Sequence, residues 1–122
     1  APVLAIAKGV RAQVPNAKII AFPRGSGVNL PQFEISDDIQ ALGLDTSIDP
    51  HWAARHIDRK MVLQGNLDPL ALLAGGRGLD EAIDRILTAF RGRAHIFNLG
   101  HGILPPTPIP HVEHLLRRIR AG

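Results

Sequence analysis

The size and composition of the chain fit one globular domain. Its 122 residues are enough for a modest core, and its 45% hydrophobic and 20% charged residues are usual for such a domain. No apolar run approaches the ~20 residues that a membrane-spanning helix needs. The net charge is only +3, the arginines are scattered and aromatic residues are few, which argues against nucleic-acid binding. Cysteine is absent, which excludes disulfides, cysteine-ligated metals and a cysteine nucleophile from this segment.

The N-terminal residues, Ala1-Pro2-Val3-Leu4, include neither an initiator Met nor a signal-peptide pattern. We therefore expect a fragment or a processed chain whose residues 1–122 belong to one domain. The lack of cysteine favours a reducing compartment.

Apolar runs that are predicted strands alternate along the chain with predicted helices. The strands are residues 18–22, 42–46, 61–65 and 95–99. The helices are residues 3–13, 28–42, 49–57 and 79–90, and a last one that follows Thr107 and Pro108. The strand runs are short, so their regular alternation with helices, rather than their own periodicity, favours β/α units.

The predicted helix over 79–90 has the clearest apolar face, formed by Leu79, Ala82, Ile83, Ile86, Leu87 and Phe90. Asp80 and Glu81 are predicted to lie in its first turn, where the helix dipole favours acidic residues. The preceding glycine-rich segment, residues 75–78, is predicted to be a loop. In the last helix, Thr107 is the predicted N-cap and Pro108 the first helical residue.

The order of elements predicts an α/β fold with four parallel strands covered by helices. Four strands are compatible with an open doubly wound sheet or with half of an eight-stranded barrel. A complete (β/α)8 barrel takes ~250 residues, so this chain is long enough for only half of one.

The carboxyl end of each predicted strand carries polar or glycine-rich residues, and parallel strands bring these ends to one rim, where ligands usually bind. The four segments are residues 22–27, 45–47, 64–69 and 98–102. Each segment also has a structural interpretation. Asp68 and Pro69 are typical of a helix start, and Gly25-Ser26-Gly27 is more typical of a turn than of an anion-binding loop. Asp45 is open to interpretation as an acid, a base or a cap.

His101 is the histidine that the sequence singles out, because it stands between Gly100 and Gly102 where the fourth strand ends. The glycines leave its imidazole unobstructed and permit a tight turn, and its pKa range suits anion binding or proton transfer. The other histidines lie on predicted helices or, for His95, at the opposite rim. Their placement on different faces argues against a metal site.

Two motifs make the family recognisable: Leu63-Gln64-Gly65-Asn66-Leu67-Asp68-Pro69, and Ile96-Phe97-Asn98-Leu99-Gly100-His101-Gly102-Ile103. Together with Phe22-Pro23-Arg24-Gly25, Gly43-Leu44-Asp45 and Thr107-Pro108, in the same order, they resemble the C-terminal part of the uroporphyrinogen decarboxylases. The resemblance covers essentially the whole chain.

This resemblance implies the C-terminal half of a TIM barrel in a cytoplasmic, usually homodimeric enzyme of haem biosynthesis that uses no cofactor or metal. The reaction removes carbon dioxide from the four acetate side chains of uroporphyrinogen III and gives coproporphyrinogen III. The partners implied are this substrate and the missing N-terminal half of the barrel, with neither a nucleic acid nor a membrane.

Among the residues that match the family motifs, His101 falls on the substrate-contacting histidine. The remaining motif residues are expected to shape the site: Gln64, Asn66, Asp68, Asn98, Gly100 and Gly102. The family's arginine-rich loop, aspartate and tyrosine find no match here, so no catalytic residue is assigned and the isolated chain is expected to be inactive.

Two alternatives remain. A related branch of corrinoid-dependent methyltransferases holds zinc with cysteine and histidine, which the absence of cysteine disfavours. The second is a non-enzymatic half-barrel that associates with copies of itself through its unpaired strand edges.

Overall fold

The computed structural model describes residues 2–121, with the backbone alone described at positions 34 and 35. Five α-helices, a 3-10 helix and four strands follow one another along these residues. The helices are α1 (Pro2–Gln13), α2 (Pro50–His56), α3 (Pro69–Ala74), α4 (Gly76–Ala89) and α5 (Ile109–Ala121), and the 3-10 helix is Gly27–Ile35. The strands are β1 (Ile20–Ala21), β2 (Ala41–Gly43), β3 (Val62–Gln64) and β4 (His95–Ile96).

The four strands form one parallel sheet in the order β1-β2-β3-β4. Each strand therefore pairs with the next one along the chain, and its connection crosses through helical structure. This confirms the predicted parallel α/β sheet. The sequential order is that of a segment of a β/α barrel, whereas a doubly wound sheet reverses its strand order at a switch point.

The two faces of the sheet differ in their burial. On one face, Ala21, Leu42 and Leu63 are paired in register and are at most 5% exposed. On the other face, Ile20 is 47% and Ile96 44% exposed. Successive strand residues point to opposite faces, so on the second face the edge residues Ile20 and Ile96 are exposed, whereas Ala41, the partner of Ile20, is buried. We call the second the open face; in a closed barrel it would point inward.

The helical layer packs on the buried face through amphipathic helices. In α4 the buried residues are Leu79, Ile83 and Ile86, and Phe90 follows directly after its end. Helix α5 packs against α4 through Leu115. Arg118 of α5 makes two hydrogen bonds to Asp84 of α4, at 2.7 and 2.8 Å. The predicted apolar face of residues 79–90 is therefore confirmed.

Two helices start at an Asp-Pro pair, and the sequence suggested one of these two caps, Asp68 before Pro69. The Asp49 carboxylate accepts a hydrogen bond from the His51 N–H at 3.0 Å, and Pro50 opens α2. The Asp68 carboxylate accepts one from the Leu70 N–H at 2.9 Å, and Pro69 opens α3. These caps satisfy N–H groups that have no partner inside the helix.

The predicted helix over 28–42 is wrong. The 3-10 helix ends at Ile35 and contains Pro31, which has no N–H to donate. The chain then turns, and the Gln40 side chain accepts a hydrogen bond from the Ile19 N–H at 2.7 Å. Strand β2 begins at Ala41, inside the predicted helix, and is shorter than the predicted strand over 42–46.

Two further predictions about helix ends are wrong. Gly75, with φ 69° and ψ −160°, separates α3 from α4, and Gly76 to Gly78 form the start of α4 instead of a loop, although Gly76 also has a positive φ. Asp80 and Glu81 consequently lie beyond the first turn of α4. Helix α5 begins at Ile109, and the buried Thr107 hydroxyl makes no hydrogen bond, so Thr107 does not cap it.

Within residues 2–121, no helix combines the length and the apolar character needed to cross a membrane.

Candidate functional site

The carboxyl ends of the four strands meet at one rim, as predicted. Beyond β3 and β4, Leu67 and Leu99 continue the pairing as an isolated parallel bridge. The Leu67 N–H donates to the Asn98 carbonyl at 3.1 Å, and the Gly100 N–H donates to the Leu67 carbonyl at 2.8 Å. The segment that carries His101 is therefore held against the β3 exit by backbone hydrogen bonds.

The rim surrounds a hollow of about 600 Å³ on the open face of the sheet. Its walls combine apolar residues from the strands with polar residues from the strand ends. The polar lining comprises Arg24, Gln64, Asn98 and His101, and the apolar lining includes Ile20, Phe22 and Ile103. Of the predicted site residues, the hollow thus brings together His101, Gln64, Asn98 and Gly102.

His101 is exposed at the mouth of this hollow, and its two glycines differ in what they do. A Cβ on Gly100 would lie 2.6 Å from Thr46 Cγ2 and 2.7 Å from Thr46 N, whereas one on Gly102 would meet nothing within 4 Å. Neither glycine has a positive φ. Gly100 is therefore needed for close packing against Thr46. The tight turn expected of the two glycines does not require glycine at either position, because neither φ is positive.

The motif over residues 64–69 is divided between the hollow and the interior. Gln64 lines the hollow, whereas Asn66 is only 5% exposed. The Asn66 side-chain amide donates to the Asp45 carbonyl at 2.9 Å and to the Ile48 carbonyl at 2.7 Å. Asp68 caps α3. Asn66 and Asp68 thus shape the protein behind the rim and do not face the hollow.

Asp45, whose role the sequence left open, binds backbone and side-chain donors of two rim loops. Its carboxylate accepts hydrogen bonds from the Gly25 N–H at 2.8 Å, from the Ser47 N–H at 2.8 Å and from the Ser47 hydroxyl. Partial burial opposes ionisation, but these hydrogen bonds and the positive charge of Arg24 together lower the pKa of Asp45 below its ordinary value. Asp45 is therefore an ionised acceptor, not a proton donor, at neutral pH.

Arg24 is the polar residue of the hollow's described lining that the sequence did not single out. It follows β1 in the Phe22-Pro23-Arg24 segment, and it lines the same hollow as His101. Its position at a strand exit was a sufficient signal, because side chains at the carboxyl ends of parallel strands share a rim.

His95 lies within the fold and away from the hollow. Its ring stacks on Phe90 with centroids 4.4 Å apart, and its Nε2 is 2.5 Å from the Gly65 carbonyl oxygen. Burial lowers the pKa of His95; the hydrogen bond to Gly65 opposes this, and the charge of Arg93 adds to it. The neutral His95 ring therefore contacts Gly65, the residue that follows β3.

The remaining histidines belong to helices α2 and α5. His111 Nδ1 is 2.8 Å from the Leu72 carbonyl oxygen, and His114 Nε2 is 2.5 Å from Asp80 Oδ1. Among the side chains that the structure describes, which exclude that of position 34, no group of three or more His, Cys, Asp or Glu is placed to hold a metal ion.

A sequentially ordered parallel sheet, covered by helices on one face and edged by a polar rim, defines this chain as part of a β/α-barrel protein. The sequence model of the uroporphyrinogen decarboxylase family matches residues 1–122. The chain belongs to this family, whose fold is a TIM barrel.

Curated relatives support this assignment over the whole chain. The chain is 51% identical to the uroporphyrinogen decarboxylase of Sphingopyxis alaskensis, covering 100% of this chain and 36% of the relative. It is 50% identical to that of Rhizorhabdus wittichii, covering 98% and 35%, and 46% identical to that of Maricaulis maris, covering 98% and 34%. The chain thus spans about a third of the length of the curated relatives it matches.

Proposed function

We propose that this chain is the C-terminal half-barrel of a carboxy-lyase that converts uroporphyrinogen III to coproporphyrinogen III. The single observation that carries the proposal is the placement of His101 at a hollow on the open face, within a chain about half identical to proteins named uroporphyrinogen decarboxylase.

The substrate is a polyanion with an apolar ring framework, and the hollow offers a matching environment. Phe22 and Ile20 provide apolar surface, while His101 and Arg24 provide groups that bind carboxylates. In the proposed reaction, protonation of a pyrrole ring creates an electron sink next to an acetate. Loss of carbon dioxide leaves its bonding electrons in the ring system. A proton then adds to the side-chain carbon and the ring releases the proton it first accepted, so that the net change is one proton taken up and one carbon dioxide released.

His101 has two possible roles in this reaction. As an imidazolium or as a neutral donor it would hold a substrate carboxylate, and an imidazole is also able to transfer a proton. Its exposure at the mouth of the hollow is compatible with either role. Gln64 and Asn98 would add uncharged hydrogen-bonding groups beside it.

We further propose that the rest of the protein completes the barrel and supplies the catalytic acid. The half-exposed Ile20 and Ile96 on the open face favour a partner there, and the relatives are about three times as long as this chain. The complete enzyme is proposed to be a cytoplasmic homodimer, which is what the family resemblance implies.

The test is to assay the full-length protein and the 122-residue chain with uroporphyrinogen III under anaerobic conditions, following coproporphyrinogen by chromatography. We expect product from the full-length protein and none from the chain alone. Failure of the folded full-length protein to form product would overturn the proposed activity. Product from the chain alone would show that no N-terminal half is required.

A second candidate, self-association of the isolated half-barrel, is favoured by the same open face. Strands β1 and β4 each have one unpaired edge among the described residues, and edges beside exposed apolar side chains promote association. Analytical ultracentrifugation of the isolated chain tests this candidate. A monomer at all accessible concentrations would contradict it.

A further inference from the structure

The loop after β1, residues 23–27, is held in one conformation by short-range hydrogen bonds. We call it the Arg24 loop. The Arg24 N–H donates to the Phe22 carbonyl at 3.0 Å, and the Ser26 N–H donates to the Pro23 carbonyl at 3.3 Å. Gly25, with φ 75°, adopts a backbone conformation that side chains rarely allow, and its N–H donates to Asp45 Oδ2 at 2.8 Å. This hydrogen bond connects the Arg24 loop to the carboxyl end of β2.

Asp45 and Thr46 also contact the other two strand exits. Asn66 donates to the Asp45 carbonyl at 2.9 Å, and Gly100 lies so close to Thr46 that no side chain fits between them. The turn that carries His101 and the loop that carries Arg24 therefore rest on the same two residues. This shared support fixes the two backbone segments relative to each other.

The charge of the hollow is of one sign. Among the described residues that line it, Arg24 and His101 are the ionisable ones, and neither Asp nor Glu is present. Asp45 is not among the lining residues, and its carboxylate accepts hydrogen bonds from the N–H groups of Gly25 and Ser47. A hollow with an arginine, a histidine and apolar walls is suited to a ligand that carries carboxylates on an apolar framework.

We infer that Arg24 is a second carboxylate-binding side chain of the site, and that Asp45 is a positioning residue that acts through Arg24 by fixing its loop. The inference rests on the proposed function and adds to it a specificity-determining contact. The inference concerns only the binding of the substrate's carboxylates and gives Arg24 no part in the decarboxylation step.

The test uses the full-length protein with uroporphyrinogen III as substrate. Arg24→Gln is expected to raise KM about tenfold while kcat changes by less than about threefold, because one charge-assisted contact is lost. Arg24→Lys, which keeps the charge, should recover part of the loss. The increase of KM with added salt should also be smaller in Arg24→Gln than in the unmodified protein. Arg91→Gln, at an exposed site just past α4, is the matched control and should leave KM unchanged.

The role of Asp45 is tested by combining Asp45→Asn with Arg24→Gln. If Asp45 acts through Arg24, Asp45→Asn alone raises KM severalfold but adds less than about twofold in the Arg24→Gln background. Effects that multiply would overturn the role of Asp45 as a positioning residue for Arg24. An unchanged KM in folded Arg24→Gln, from a protein that decarboxylates normally, would overturn the contact while leaving the proposed function intact. An inactive unmodified protein would overturn both.

Discussion

The position of His101 depends on the preceding residue, Gly100, whose backbone lies directly against Thr46. The distances of 2.6 and 2.7 Å that a Cβ would have to Thr46 atoms are shorter than any real side chain tolerates. Any side chain at this position would therefore displace the His101 turn or the Asp45–Thr46 segment.

We expect Gly100→Ala in the full-length protein to lower the free energy of unfolding by about 1–3 kcal/mol and kcat/KM by at least about tenfold. Gly102→Ala, on the other side of the same histidine, has open space for its methyl group and should leave the free energy of unfolding within about 0.5 kcal/mol of the original value. Denaturant titration measures both variants. Equal stability of the two would contradict the packing role of Gly100.

The half-buried, neutral ring of His95 makes the stability of the protein depend on pH. Its pKa in the folded state lies below the unfolded value near 6.5. The unfolded chain therefore takes up the proton first as the pH falls, so stability contributed by His95 is complete above that value and is lost progressively below it.

We expect the difference in unfolding free energy between the unmodified protein and His95→Gln to be larger at pH 8 than at pH 5. Denaturant titrations of the full-length proteins at both pH values measure it. A difference that stays constant, or that grows as the pH falls, would show that His95 is not held neutral by burial.

The sequence identified the residues of the rim but not which way their side chains point. His101, Gln64 and Asn98 were found because residues at the ends of parallel strands share an edge. Asn66 and Asp68 are only two and four residues from Gln64, yet they serve the interior and a helix cap. The orientation of the Asn66 side chain depends on contacts with Asp45 and Ile48, about twenty residues away in sequence. No local sequence pattern reveals such contacts.

At the scale of elements, Gly75 separates α3 from α4 and lets α5 pack beside them. Its φ is 69°, and a Cβ there would lie 2.5–2.6 Å from atoms of the His111 ring. That ring is held by its contact with the Leu72 carbonyl, so it is not free to move aside without losing a hydrogen bond.

We expect Gly75→Ala to lower the free energy of unfolding by about 3 kcal/mol, from backbone strain and from the clash with His111. Gly76→Ala is the matched control, because Gly76 has nearly the same φ, 68°, but empty space around its Cβ. It should cost only about 1 kcal/mol. Equal losses in thermal or denaturant unfolding would rule out a contribution from the His111 contact.

Element types were predictable wherever a helix is amphipathic or a strand stands between two such helices. Helix α4 has apolar residues along one face, and helices α2 and α3 carry the Asp-Pro signal at their starts. The predicted helix over 28–42 is wrong because the apolar residues there follow a helical spacing, while Pro31 and the contact of Gln40 with Ile19 impose a different backbone path.

At the scale of the molecule, the open face distinguishes a part of a barrel from a self-contained sheet. Ile20 and Ile96 lie on this face and are about half exposed, while Ala21, Leu42 and Leu63 on the opposite face are at most 5% exposed. The alternation of elements along the sequence did not reveal this, since a doubly wound sheet has the same order of helices and strands.

We expect Ile20→Ala and Ile96→Ala to cost about 2–4 kcal/mol each in the full-length protein, because a completed barrel would bury both side chains. Ile109→Ala, at a 73% exposed position in α5, should cost less than about 1 kcal/mol. If the two strand variants were as stable as the α5 variant, the open face would not be covered by the rest of the protein.

The most direct test of the whole interpretation is the rate at which the full-length protein and its His101→Ala variant form coproporphyrinogen from uroporphyrinogen III. We expect the unmodified protein to form the product and the variant to lose at least about tenfold in kcat/KM, with its thermal unfolding temperature preserved because His101 is exposed. An equal rate in a folded variant would remove His101 from the site and contradict the proposed binding of the tetrapyrrole at this hollow.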